Sequence, residues 1–206
     1  MRVLLVLIAI CFYSQSLFGQ DLYVGDSTNG RIEVFDGTTG RSKGIFAGNG
    51  ELAGQLSITF GGPSNDLYIG SFSGEPFNPQ ILRYNGSTGE FIESLVTIQP
   101  TRIFFGDNGD LYYTGTQFSG VRRYDVDTGA TSDFIANGQS VSGATLDSNG
   151  DVYLSYSDIR EFLPSTGEIG QYDGNDGAFV RTLVSHDEPD TRLSEIVFGP
   201  DGNPVS

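Results

Sequence analysis

An all-β fold built from four-stranded antiparallel units is what this sequence predicts, on three observations. First, the segment Asp21-Leu22-Tyr23-Val24-Gly25 returns at Asp66–Gly70, Asp110–Thr114 and Asp151–Ser155, with steps of 45, 44 and 41 residues. Tandem periods in this range belong to propellers and solenoids. Second, each period divides into short apolar runs separated by turn residues, and no stretch shows helical spacing. Third, the repeated run is apolar at consecutive positions, as in Leu67-Tyr68-Ile69. Consecutive apolar residues imply a strand covered on both faces. A ring of sheets, each sandwiched between neighbours, supplies that covering, so the architecture expected is a β-propeller.

The strands of each period are labelled A to D. In the second repeat they are expected at Leu56–Phe60, Asp66–Ser71, Gln80–Tyr84 and Phe91–Val96. In the third they are expected at Thr101–Phe105, Asp110–Thr114, Gly120–Tyr124 and Thr131–Ile135. Turn chemistry supports the division. The A–B turns read Gly62–Asn65, Gly106–Gly109, Asp147–Gly150 and Gly199–Gly202, and the C–D turns Asp36–Gly40, Asn85–Gly89 and Asp125–Gly129. Asp and Asn side chains bond their own backbone, and glycine accepts positive φ. Strand C places an aliphatic residue three before an aromatic one, as Ile32/Phe35, Ile81/Tyr84 and Val121/Tyr124.

Residues 1–19 read as a signal peptide and 20–206 as the propeller domain, with repeats near 21–55, 56–100, 101–141 and 142–193 and a partial one at 194–206. Arg2 precedes the apolar run Val3–Cys11, which is too short to span a bilayer. Cleavage after Ser16 and after Gly19 both fit. The expectation is a secreted or periplasmic protein with no membrane span. Cys11 is the only cysteine, and Ile10 stands where a lipobox wants a small residue. The processed chain then has no disulfide and relies on packing.

The formal charge of −15, from 26 acidic and 11 basic residues, repels phosphate backbones and argues against nucleic-acid binding. Two closures are open. The run Glu195–Phe198, an A strand, pairs with Asp21–Gly25 and closes a ring of about four blades, or the chain is part of a six- or seven-bladed ring. Asn203–Ser206 resembles an interrupted B strand, because proline donates nothing to a ladder.

Segments Ile58–Gly70 with Ile81–Gly89, and Ile196–Asn203, resemble the NHL-type and streptogramin-lyase-like propeller repeats of secreted bacterial proteins. The match is to the inner strand, the Gly-Asp/Asn turn, the "LYV" strand and the "RYDG-x-TG" hairpin, and it covers essentially all of residues 20–206. It implies a fold shared by lyases, lactonase-like hydrolases and binding or surface proteins. Members usually have six or more blades, and catalytic members use histidine and acidic metal ligands that have no counterpart here.

The B–C and D–A loops vary in length and sequence while the turns at the opposite edge are stereotyped, so binding is expected on the loop face. Candidate ligand-binding residues are Arg102, Tyr156, Arg160, His186 and Glu195. Arg102 and Glu195 are charged positions of inner A strands, able to orient a small ligand or to satisfy each other. The fourth repeat offers two C-like hairpins, Ile159–Gly167 and Ile169–Gly177, of which one is surplus and protrudes. His186, the only histidine, and Glu195 are weak catalytic candidates. One histidine and no cysteine in the processed chain make a poor zinc set. Asp107/Asp110 and Asp147/Asp151 put oxygens close together, but each turn offers two or three of the six to eight that calcium takes. No cofactor is expected, calcium being the exception to keep in view.

The reading is an exported, non-catalytic propeller that binds a protein, a glycan or a small molecule. The alternative is a metal-assisted lyase or lactonase-like hydrolase acting at the channel mouth near His186 and Glu195.

Overall fold

The computed structural model describes residues 20–48, 52, 54, 57–73, 78–96, 99–116, 118–156, 167–186, 193–198 and 204–205. The segment expected to be a signal peptide, Arg160 and residues 159–166 of the first C-like hairpin lie outside them. Every described element is a strand.

Three sheets have four strands in the order A-B-C-D. Blade 2 is β4 (Ser57–Gly61), β5 (Asp66–Ser73), β6 (Asn78–Tyr84) and β7 (Phe91–Val96). Blade 3 is β8 (Pro100–Phe105), β9 (Leu111–Gly115), β10 (Val121–Tyr124) and β11 (Thr131–Ile135). Blade 4 is β12 (Val141–Leu146), β13 (Val152–Tyr156), β14 (Gly167–Tyr172) and β15 (Phe179–His186). All neighbours pair antiparallel. The second C-like hairpin is therefore the true strand C of blade 4, because β14 pairs with both β13 and β15.

Blade 1 has three strands, β1 (Leu22–Asp26), β2 (Arg31–Phe35) and β3 (Ser42–Ala47), and the last sheet has two, β16 (Val197–Phe198) and β17 (Pro204–Val205). Of the two closures left open, the pairing of Glu195–Phe198 with Asp21–Gly25 is not formed. β16 pairs with β17, Phe198 opposite Pro204, while among the described residues β1 pairs only with β2. The place beside β16 is taken by the next stretch of chain, so it does not receive Asp21–Gly25.

Burial follows from the stacking of blades. The apolar residues form one cluster per seam. Ile32 and Ala47 of blade 1 pack with Leu67, Ile69 and Leu82 of blade 2. Tyr68 and Ile81 pack with Ile103, Leu111 and Tyr113 of blade 3. Val121 and Ile135 pack with Val152, Leu154 and Tyr172 of blade 4, and Tyr153 and Ile169 pack with Ile196. Each fully buried apolar side chain contributes about 1.5–3 kcal/mol. B strands feed two seams at once, which is why β9 and β13 are buried at consecutive positions. β1 departs from this rule, with Leu22 56% and Val24 46% exposed. Its Tyr23 packs against Phe60, but no described residue covers the other face.

The seams carry a repeated aromatic joint. The tyrosine of strand B meets a phenylalanine at the end of the next blade's strand A, edge to face. Tyr23 meets Phe60 at 4.7 Å, Tyr68 meets Phe105 at 4.9 Å and Tyr153 meets Phe198 at 5.0 Å between centroids.

Candidate functional site

The turn edge is built on the aspartate that begins each repeat. Asp66 is buried and accepts from Arg83 Nε at 2.9 Å, Arg83 Nη2 at 2.7 Å and the Gly86 backbone N–H at 3.1 Å. Asp110 repeats this with Arg123 Nε at 2.6 Å and Val126 N–H at 3.3 Å, and Asp151 with Gln171 Nε2 at 2.8 Å and Gly174 N–H at 3.2 Å. In blades 2, 3 and 4 one carboxylate thus clamps strand C and the C–D turn against the start of strand B. A buried carboxylate needs such partners to offset its lost hydration. In blade 1, half-buried Asp21 takes both its bonds from Lys43 of strand D, at 2.7 and 2.8 Å.

The C–D turns share a second device. Asp36, Asn85, Asp125 and Asp173 each accept a side-chain bond from a backbone N–H two or three residues on, at 2.8 or 2.9 Å. These bonds lower three carboxyls below their ordinary value. Asp36 is lowered first by the Thr39 hydroxyl, Asp125 by the Thr128 backbone and Asp173 by the Asn175 backbone. In the A–B turns, Asn65, Gly109 and Gly150 all take positive φ, at 50°, 80° and 86°. Asparagine is the side chain that best tolerates this region.

The innermost strands place Ser57, Arg102 and Gly143 at one rung, opposite Gly70, Thr114 and Ser155. Arg102 Nη2 donates to Glu195 Oε2, in the segment that leads into β16. Gly143 makes room for this. A Cβ there would collide with the Ser194 carbonyl, which instead accepts from Ser155 Oγ at 3.0 Å. Of the residues singled out from sequence, Arg102 and Glu195 are the pair the fold brings together.

The others are dispersed. Tyr156 is buried, its hydroxyl donating to Tyr172 at 2.6 Å and accepting from Asn137 Nδ2 at 2.6 Å. Burial first, then the Tyr172 hydroxyl, pushes its proton affinity far above the usual phenol range. His186 ends β15 with its backbone opposite Gly167, and its side chain lies outside the described residues. Asp147 accepts from the backbone of Asn149 and Asp151 at 2.8 and 3.0 Å and from the Tyr153 hydroxyl at 3.3 Å. Asp107 stands exposed across the seam from Gly150. Among the described residues no three His, Cys, Asp or Glu side chains gather closely enough to hold a metal ion.

Sequence reading missed one feature. Between blades 3 and 4 the aromatic joint is broken, because Leu146 stands where Phe60, Phe105 and Phe198 stand in the other blades. At the neighbouring seam the Phe105 ring lies where a Cβ on Gly61 would project. At the corresponding Gly106 that direction is taken by the Tyr112 ring of the same blade, and a recess of about 170 Å³ opens beside it against Leu146. Leu146, Val152 and Tyr112 form its apolar wall, with Asp107, Asn108, Asn149 and Asn175 as polar lining. The Tyr112 ring turns to its own blade, stacking on Phe104 at 5.7 Å and meeting Phe134 at 4.7 Å. Aligning the four repeats at the end of strand A was the available signal.

The sheet order and the radial joints define a β-propeller. Solved structures share it at low identity. Regucalcin of Agrobacterium tumefaciens, a calcium-binding protein, superposes with TM-score 0.63 at 21% identity, over 84% of this chain and 60% of that one. Virginiamycin B lyase of Staphylococcus aureus, a catalytically inactive variant solved with quinupristin, gives 0.62 at 16%, over 85% and 55%. TolB of Acinetobacter baumannii gives 0.64 at 17%, over 88% and 43%. The chain therefore spans about half the length of these proteins. No protein-family model and no curated protein matches it. No helix among the described residues is long and apolar enough to cross a membrane.

Proposed function

We propose that this protein is an exported, non-catalytic β-propeller of the NHL or streptogramin-lyase-like kind, which binds a glycan or protein through its B–C and D–A loops. The observation that carries this reading is the Arg102–Glu195 ion pair. The two charged groups at the inner rung bond each other, joining β8 to the segment ahead of β16. The buried aspartates are likewise engaged in holding turns, so the charged chemistry of the described core serves the scaffold. Variable loops on such a frame are where recognition concentrates. Export rests on the amino-terminal sequence, and calcium enters only as a ligand of the A–B turns.

The test compares the protein with a variant whose residues 157–166 are replaced by a Gly-Ser linker. Both are applied to a glycan array and to isolated peptidoglycan sacculi, with calcium chloride or with EDTA. Binding that is lost in the variant and indifferent to chelation supports the reading. Binding equal in both, or none, counts against it. The enzyme reading takes its support from the likeness to virginiamycin B lyase. Turnover of quinupristin that requires a divalent metal would replace the binding reading with a lyase.

A further inference from the structure

The broken joint between blades 3 and 4 has the makings of a second site, on the edge opposite the loop face. Where three seams are plugged by a phenylalanine ring, this one presents a recess of about 170 Å³ with a mixed lining. Its wall is hydrocarbon from Leu146 and Val152 with the edge of Tyr112. Its rim is amide and carboxylate. Asp107 has no hydrogen bond or ion pair among the described residues, and the Asn149 side chain likewise has none. Asn175 Nδ2 donates to Asp173 at 3.1 Å and keeps its carbonyl oxygen free of any described bond. No lysine or arginine lines the recess, and the protein carries a charge of −15, so an anionic ligand is excluded on electrostatic grounds.

We infer that this recess binds one residue of a neutral saccharide. A sugar ring offers an apolar C–H face for the Leu146 and Tyr112 wall, and vicinal hydroxyls that donate to a carboxylate while exchanging bonds with amides. Asp107 accepts two hydroxyl hydrogens, and Asn149 and Asn175 supply both donors and acceptors. The scaffold holds these groups on clamped turns, Gly174 of the same C–D turn being fixed by Asp151 at 3.2 Å. A rim so held loses little freedom when a ligand arrives. The site does not depend on the loop-face reading, and the loop-replaced variant retains it.

The experiment is an amide NMR titration of the purified protein with N-acetylglucosamine, with glucose and, separately, with methylammonium chloride. Shifts at Asn108, Gly150 and Asn175 on adding a sugar are expected. Leu146→Phe restores the plug found at the other seams, so it should weaken sugar binding by about tenfold or more while raising the thermal midpoint. Asp107→Asn, a surface change that leaves the fold alone, should weaken binding by about fivefold or more. The proposal is overturned if neither sugar moves these amides, or if either variant binds within about twofold of the parent. Shifts from methylammonium alone would overturn it in favour of an amine site.

Discussion

The ring of Phe105 occupies the position that a side chain on Gly61 would claim, so each of these residues presupposes the other. Phe105 in turn meets Tyr68 edge to face, and the seam between blades 2 and 3 is closed by this contact. Gly61→Ala should displace the ring and cost about 1–3 kcal/mol, the range for forcing an extra methyl into a packed site. Urea unfolding followed by fluorescence reads it. A cost near zero would show that the joint yields freely.

The aspartate clamps should differ in strength with their partners. Asp110→Ala leaves Arg123 and the Val126 N–H without their acceptor, and a loss of about 2–3 kcal/mol is expected. Asp151→Asn should cost less, about 1–2 kcal/mol, because the amide oxygen still accepts from the Gly174 N–H while only the bond from Gln171 Nε2 is lost. Chemical denaturation of the two variants side by side checks the order.

Stability should fall with acid in a defined window. Asp36, Asp125 and Asp173 have carboxyls lowered from 3.8 in the folded chain. A group depressed on folding adds stability above its unfolded value and loses it as pH drops through the folded value. The thermal midpoint should therefore hold between pH 7 and about 5, then decline below about 4. Asp125→Asn should fold, since Asn85 plays the same part in blade 2, and should flatten part of the acid limb.

At the inner rung the pair and the glycine should rank oppositely to their appearance. Glu195 is 61% exposed in its side chain, so Glu195→Gln should cost at most about 1 kcal/mol despite breaking the ion pair. Gly143→Ala pushes a methyl into the Ser194 carbonyl and should cost more, about 1–3 kcal/mol. Amide exchange at Glu195 and Ile196 should rise in the glycine variant and stay low in the other.

Much of this architecture is legible in the sequence, for local reasons. The D strands Phe91–Val96 and Thr131–Ile135 stand residue for residue where turn chemistry bounds them. The start of strand A in blade 3 slips by one residue, because Pro100 pairs ahead of a bulge that no local pattern marks. Strand-end pairing was legible only as two alternatives. Glu195–Phe198 suited either the distant Asp21–Gly25 or the adjacent B-like run Asn203–Ser206, and β16 pairs with the adjacent strand β17. At the site, Arg102 and Glu195 announce themselves as charges on inner strands. The recess stayed hidden because it is made by a ring that is absent, and absence has meaning only against the other repeats. Tyr156 resembled a loop-face ligand group until the fold buried it against Tyr172.

The uniform Tyr-on-Phe joint has a consequence for how such chains change over generations. A module whose two flanks carry standard couplings can be duplicated, deleted or exchanged without rewriting its neighbours. Leu146 shows that one coupling tolerates a poorer fit. A lineage that loosens a single joint while leaving the rest intact obtains a new concavity at little risk to folding. Novelty would then arise at joints as readily as at tips.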